Sequence, residues 1–132
     1  MLPDHETLIR TVLSQRRENV DFIVLFGSQA RGDAMPGSDV DVAVSVPRAT
    51  HSERLELKLN LIGRLTGPGR DFDIVVVEDV GWSLRFRIAH DGVVLYERED
   101  GLWDKFVESV ILYYPDWRVF EERFLEEFLD GA

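Results

Sequence analysis

Apolar positions along the chain switch between two spacings. Leu8, Ile9, Val12 and Leu13 recur every three to four residues. That is the period of a helix with one apolar face, so residues 5–18 read as a helix that Asp4 is placed to cap. The run Val20-Asp21-Phe22-Ile23-Val24-Leu25-Phe26 is short, apolar and closed by a glycine, which suits a buried strand. Residues 27–38 are rich in turn formers and read as a loop. From Asp39 to Val46 the pattern alternates strictly. Asp39, Asp41 and Ala43 fall on one side and Val40, Val42 and Val44 on the other, the mark of a strand with one buried face.

Helical spacing returns over 51–65 through Leu55, Leu59 and Ile62, with Ser52 as a possible cap and Gly67-Pro68-Gly69 as the stop. Asp71 to Val77 reads as a third strand, with Asp71, Asp73 and Val75 on one face. A short helix is expected around 81–89, a turn at His90-Asp91-Gly92, and a fourth strand at Val93-Val94-Leu95-Tyr96. Residues 102–129 look helical, interrupted near Pro115, with Ser109 or Asp116 as candidate caps. The order α-β-loop-β-α-β-α-β-α-α predicts an α/β protein with a mixed sheet of about four strands and helices packed on it.

Composition narrows the function. The 132 residues fit a single domain, expected as a core over 1–98 and a helical tail over 99–132. The chain has no cysteine, which excludes disulfide scaffolds, zinc ribbons and thiol catalysis. The net charge is −10, so no direct binding to nucleic acid is expected. The charge is uneven: residues 1–96 hold 14 acidic and 11 basic groups, residues 97–132 hold 11 and 4. No apolar run approaches the ~20 residues that span a bilayer. The first residues lack the basic and apolar regions of a signal peptide, so no membrane association and a cytoplasmic location are expected.

The chemistry concentrates on three carboxylates. Asp39 and Asp41, two apart on one strand, project to one face. Asp73 opens the apolar part of the next strand. If these strands pair, three ionised carboxylates converge and repel. A divalent cation relieves that repulsion, and carboxylate oxygens suit Mg²⁺ or Mn²⁺, with two such ions bridging to a nucleotide's phosphates. Asp71 shares the face of Asp73 and is the rival third ligand. Upstream, Gly27-Ser28 closes the first strand, and ten residues separate Ser28 from Asp39. Glycine admits backbone N–H groups close to a phosphate, and serine adds a hydroxyl. Arg31 is a further phosphate contact or else an exposed loop arginine. Ser38, just before the aspartate strand, donates to phosphate or shapes the turn.

Leu25-Phe26-Gly27-Ser28-Gln29-Ala30-Arg31-Gly32, followed by Gly37-Ser38-Asp39-Val40-Asp41-Val42-Ala43-Val44, resembles the signature of the minimal nucleotidyltransferases of the DNA polymerase β-like superfamily. The resemblance extends over residues 5–96, and the compact size is like that of the antitoxin-type members. It implies the polymerase β-like fold and transfer of a nucleoside monophosphate from an NTP, expected to be ATP, to a hydroxyl. Asp39 and Asp41 would hold the metals. Asp73 would complete the metal site and assist the acceptor hydroxyl. Gly27 and Ser28 would hold the β- and γ-phosphates. Gln29 departs from the basic residue that many relatives carry. The resemblance further implies a partner, a HEPN-domain toxin, with AMP transferred to a tyrosine hydroxyl on it. A non-catalytic antitoxin that only docks, and a nucleotidyltransferase for small molecules, are the alternatives.

Trp117, Phe120, Phe124 and Phe128 form one helical stripe in the tail. Either the stripe packs on the sheet, or another chain covers it. Trp103, Phe106, Tyr113 and Tyr114 add to the aromatic surplus, and aromatics are enriched at interface centres.

Overall fold

The computed structural model describes residues 5–16, 19–32, 39–65 and 71–113. Its elements are α1 (His5–Arg16), β1 (Phe22–Phe26), α2 (Gly27–Arg31), β2 (Val40–Ser45), α3 (His51–Leu65), β3 (Phe72–Val76), a 3-10 turn (Val77–Asp79), α4 (Trp82–Asp91), β4 (Val93–Glu97) and α5 (Leu102–Tyr113). The four strands form one sheet in the order β3-β2-β1-β4. β1 runs antiparallel to both β2 and β4, and β2 runs parallel to β3. The sheet is therefore mixed, as the element order predicts. The parallel pair needs a long crossover, which α3 supplies.

Alternation explains the two cores. Val40, Val42, Val44 and Ile74 point to the side covered by Leu8 and Val12 of α1 and by Leu57 and Leu61 of α3. Phe22, Val24, Ala43 and Val75 point to the other side, where Ile88 of α4 and Trp103 and Phe106 of α5 meet them. Phe22 and Trp103 pack edge to face at 5.2 Å, a favoured arrangement of aromatic quadrupoles. The alternation in 39–46 thus marks a strand buried on both faces, not on one. Ala43 is fully buried because it is small enough to sit beneath the second helical layer. The aspartates share its face but lie nearer the strand's start.

Other local expectations shift. Residues 27–31, read as loop, form the short α2. His90 and Asp91, read as a turn, finish α4. Helix α3 is capped by Thr50 rather than Ser52. The Glu53 N–H donates to Thr50 Oγ1 at 3.2 Å, and the Thr50 N–H donates to Glu53 Oε1 at 2.9 Å. This is a reciprocal capping box, written in the sequence as Thr-x-x-Glu. Gly92 is a packing glycine, since a Cβ there would strike Trp103, Val24 and the Ile88 carbonyl. It lets β4 begin tight against α4. At the far end of β1, Asp21 accepts from Arg48 at 2.9 Å and from Arg98 at 3.2 Å. Asp4, Ser38, the Gly67-Pro68-Gly69 stop and the tail stripe from Trp117 to Phe128 lie outside the described residues.

Candidate active site

Strand pairing builds the site. In β1–β2, Phe26 stands opposite Asp41. In β2–β3, Asp41 stands opposite Asp73. Gly27 follows Phe26 directly, so the start of α2 arrives beside the Asp41 carboxylate. Gly27 has φ +72°, and a Cβ there would land on Asp41 Oδ2 and lie 3.1 Å from Cγ. Only glycine meets both demands, the left-handed backbone and the close approach.

Asp41 is half-buried, while Asp39, Asp71 and Asp73 are exposed. Burial holds the Asp41 carboxyl above its ordinary value of 3.8, and the charges of Asp73 and Asp39 and a hydrogen bond with Asp73 add to the rise. The structure thus brings Asp39, Asp41 and Asp73 into one electrostatic group, with Asp41 and Asp73 in contact. Asp71 lies one step outside β3. Its backbone carbonyl accepts from the Val40 N–H at 3.0 Å, and it is not among the charges that act on Asp41.

Among the described residues, no three His, Asp or Glu side chains form a ready metal cage. The chemistry of the donor set nonetheless fits a hard cation. Asp41 and Asp73, opposite each other across β2–β3, would offer oxygen donors to a divalent ion, and Asp39 stands two residues before Asp41.

Arg87 of α4 is the residue the sequence reading missed. It is exposed, and its charge pulls the Asp41 carboxyl down against the other influences. Nothing in the spacing separates it from Arg85. The structure does: Arg85 turns back to donate its Nε–H to the Val77 and Val80 carbonyls and lies 4.7 Å over the Trp82 ring. Arg31, at the end of α2, is placed by α4 as well. Its Nη1 donates to Asp91 Oδ2 at 2.8 Å. Ser28 lies in α2 immediately after Gly27.

The mixed sheet sets Asp41 and Asp73 beside the Gly27 turn, the arrangement that the signature blocks imply for a nucleotidyltransferase. The family described as Polymerase beta, Nucleotidyltransferase matches residues 7–101. A protein adenylyltransferase MntA from Aphanizomenon flos-aquae (strain 2012/KM1/D3) is 30% identical over 114 residues, which span 79% of this chain and 75% of that one. The chain belongs to the polymerase beta nucleotidyltransferase family, as its signature blocks imply. Solved structures carry the same fold. A chain of a toxin–antitoxin structure with AMP-PNP superposes with a TM-score of 0.68 at 22% identity, covering 94% of this chain and 98% of that one. A chain of a tri-AMPylated Shewanella oneidensis HEPN toxin in complex with its MNT antitoxin gives 0.62 at 19% identity, covering 96% and 99%.

Proposed function

We propose that this chain is the antitoxin of a HEPN toxin–antitoxin pair and works as a protein adenylyltransferase, moving AMP from ATP to a tyrosine hydroxyl of the toxin. The observation that carries the reading is the Asp41–Asp73 pair facing Gly27, in a chain related over most of its length to a protein adenylyltransferase.

In this reading Gly27 and Ser28, with Arg31 and Ser38, hold the phosphates of ATP. Asp39, Asp41 and Asp73 hold Mg²⁺ or Mn²⁺, two ions in all, which supply charge neutralisation at the phosphates when bound. The tyrosine oxygen attacks the α-phosphorus in line. A bond forms between that oxygen and phosphorus, the bond from phosphorus to the bridging oxygen breaks, and pyrophosphate leaves. The phenolic proton would pass to the Asp73 carboxylate, which is exposed. Positioning and electrostatic stabilisation do most of the work. The added phosphate puts negative charge where a ribonuclease must receive RNA, so the toxin is silenced. The acidic antitoxin is matched in charge to a basic RNA-binding face. No described helix is long and apolar enough to cross a membrane, and the reading places the pair in the cytoplasm.

The test is co-expression with the toxin, followed by the intact mass of the purified toxin. AMP-sized additions that vanish with Asp39→Ala support the enzyme. An unmodified toxin that Asp39→Ala still neutralises favours docking alone.

A further inference from the structure

We propose that the last turn of α4 is the seat of α2: the Arg31–Asp91 ion pair ties down the end of α2 and so keeps Gly27 lodged against Asp41. The inference rests on the nucleotide-transfer reading above, in which Gly27 and Ser28 hold the phosphates of ATP. The tie sets where that turn sits and needs no contact between Arg31 and nucleotide.

The length of α2 makes a tie necessary. It has five residues, Gly27–Arg31, little more than one turn, and a helix so short does not hold itself together in water. Its position must come from what it packs on. At the front, Gly27 is fixed against the Asp41 carboxylate. At the back, Gly32 takes φ +79°, the left-handed conformation that ends a helix. Between them α2 rests on β1, β2 and α4, and Ala30 packs on the first core.

The tie is built on a fixed base. The Asp91 side chain is 7% exposed and the Arg31 side chain 43%. A carboxylate removed from water needs partners. Oδ2 accepts from Arg31 Nη1 at 2.8 Å, and Oδ1 lies 2.8 Å from His90 Nδ1. The His90 ring lies 5.8 Å from that of Phe86, which is buried. Ile88 is fully buried, and Gly92 packs too closely against Trp103, Val24 and the Ile88 carbonyl to accept a Cβ. The end of α4 cannot shift without disturbing the core, so Asp91 is the fixed partner and Arg31 the one it holds. Cutting the tie at either residue has one consequence. The end of α2 is released, and Gly27, one turn back on the same helix, loses its fixed approach to Asp41.

The experiment uses the full chain with its toxin partner. AMP transfer is followed as ATP is varied, and amide hydrogen exchange is read over residues 27–31. Asp91→Asn is expected to raise the KM for ATP about fivefold to tenfold with kcat within about threefold, the pattern of lost ground-state binding. Exchange in α2 should speed up while β1 and β2 keep their protection. Arg31→Gln should raise the KM by a similar factor. Arg31→Lys, which keeps a donor for Oδ2, should recover part of the loss, and the double variant Arg31→Gln, Asp91→Asn should be no worse than either single. A guanidinium that served the nucleotide directly would be released by Asp91→Asn. An unchanged or lower KM in Asp91→Asn, beside a raised KM in Arg31→Gln, therefore overturns the proposal. A lower melting temperature with an unchanged KM overturns it too, as do fully additive losses. If Asp91→Asn does not fold, Arg31→Gln against Arg31→Lys decides by KM and exchange together. A wild-type chain that transfers no AMP sinks the transfer reading, and the seat then stands or falls on whether Asp91→Asn weakens Mg-ATP binding in calorimetry.

Discussion

Gly27 and Asp41 share a space that holds only one side chain. The Asp41 carboxylate occupies the position that a Cβ on residue 27 would take, and Gly27 adopts φ +72°. The two residues face each other because Phe26, just before Gly27, pairs with Asp41 across β1–β2. Gly27→Ala must move Asp41 off its pairing with Asp73 and also strain the backbone. It is expected to cost about 1–3 kcal/mol of stability and to lower AMP transfer by about a hundredfold or more. Adding Asp41→Ala removes the clash but not the strain. The double variant should therefore recover part of the lost stability in a denaturant titration and none of the activity. A Gly27→Ala chain with wild-type transfer would show that the close approach has no role in the site.

The Asp41 carboxyl also sets a pH dependence. Its native pKa is raised above the ordinary 3.8, by burial first and then by Asp73 and Asp39. The native state thus holds this proton more tightly than the unfolded chain does. The resulting stability is fully present below the unfolded value and is lost as pH rises through the native one. Asn cannot titrate and keeps a neutral group in the same place. In metal-free buffer, Asp41→Asn should melt higher than wild type at neutral pH, by no more than about 1–2 °C because solvent screens a carboxyl that is only half-buried. The gap should close as pH falls to the ordinary carboxylate range. A variant less stable than wild type at neutral pH would contradict the repulsion that Asp73 and Asp39 are assigned.

The sheet and the carboxylates were legible because strand alternation is a period-2 signal that survives tertiary packing. Asp39, Asp41 and Asp73 stood on predicted strands, and pairing alone was needed to join Asp41 to Asp73. What failed was whatever depends on the second layer. Periodicity does not say that Ala43 lies under α4 and α5, since a small buried residue and a small exposed one read alike. Turn-forming residues in 27–31 hid a helical turn, because Gly27 is there for its conformation and its neighbour rather than to break structure. The Thr50–Glu53 box was in the sequence and was passed over for Ser52, two residues inside. Arg87 and Asp91 were not readable at all. Each gains its meaning from a partner far along the chain, Asp41 and Arg31 respectively.

Arg87 gives a test in which two ligands respond with opposite signs. Its guanidinium acts on Asp41 as an opposing charge at the edge of the carboxylate group. A divalent cation bound by Asp39, Asp41 and Asp73 would feel the same guanidinium as a like charge, and the phosphates of ATP would feel it as an attraction. Charges at a solvated surface interact by about 1 kcal/mol or less, and salt weakens them. Arg87→Ala should therefore tighten Mn²⁺ binding in the absence of nucleotide by up to about fivefold, and should weaken Mg-ATP binding by a similar factor. Both effects should shrink as ionic strength rises. Arg87 is exposed, so the melting temperature should stay within about 1–2 °C of wild type. Calorimetric titrations with Mn²⁺ and with Mg-ATP on the same protein give both signs. Loss of both affinities together would mean that Arg87 supports the structure of the site rather than its charge, and no change in either would remove Arg87 from the site.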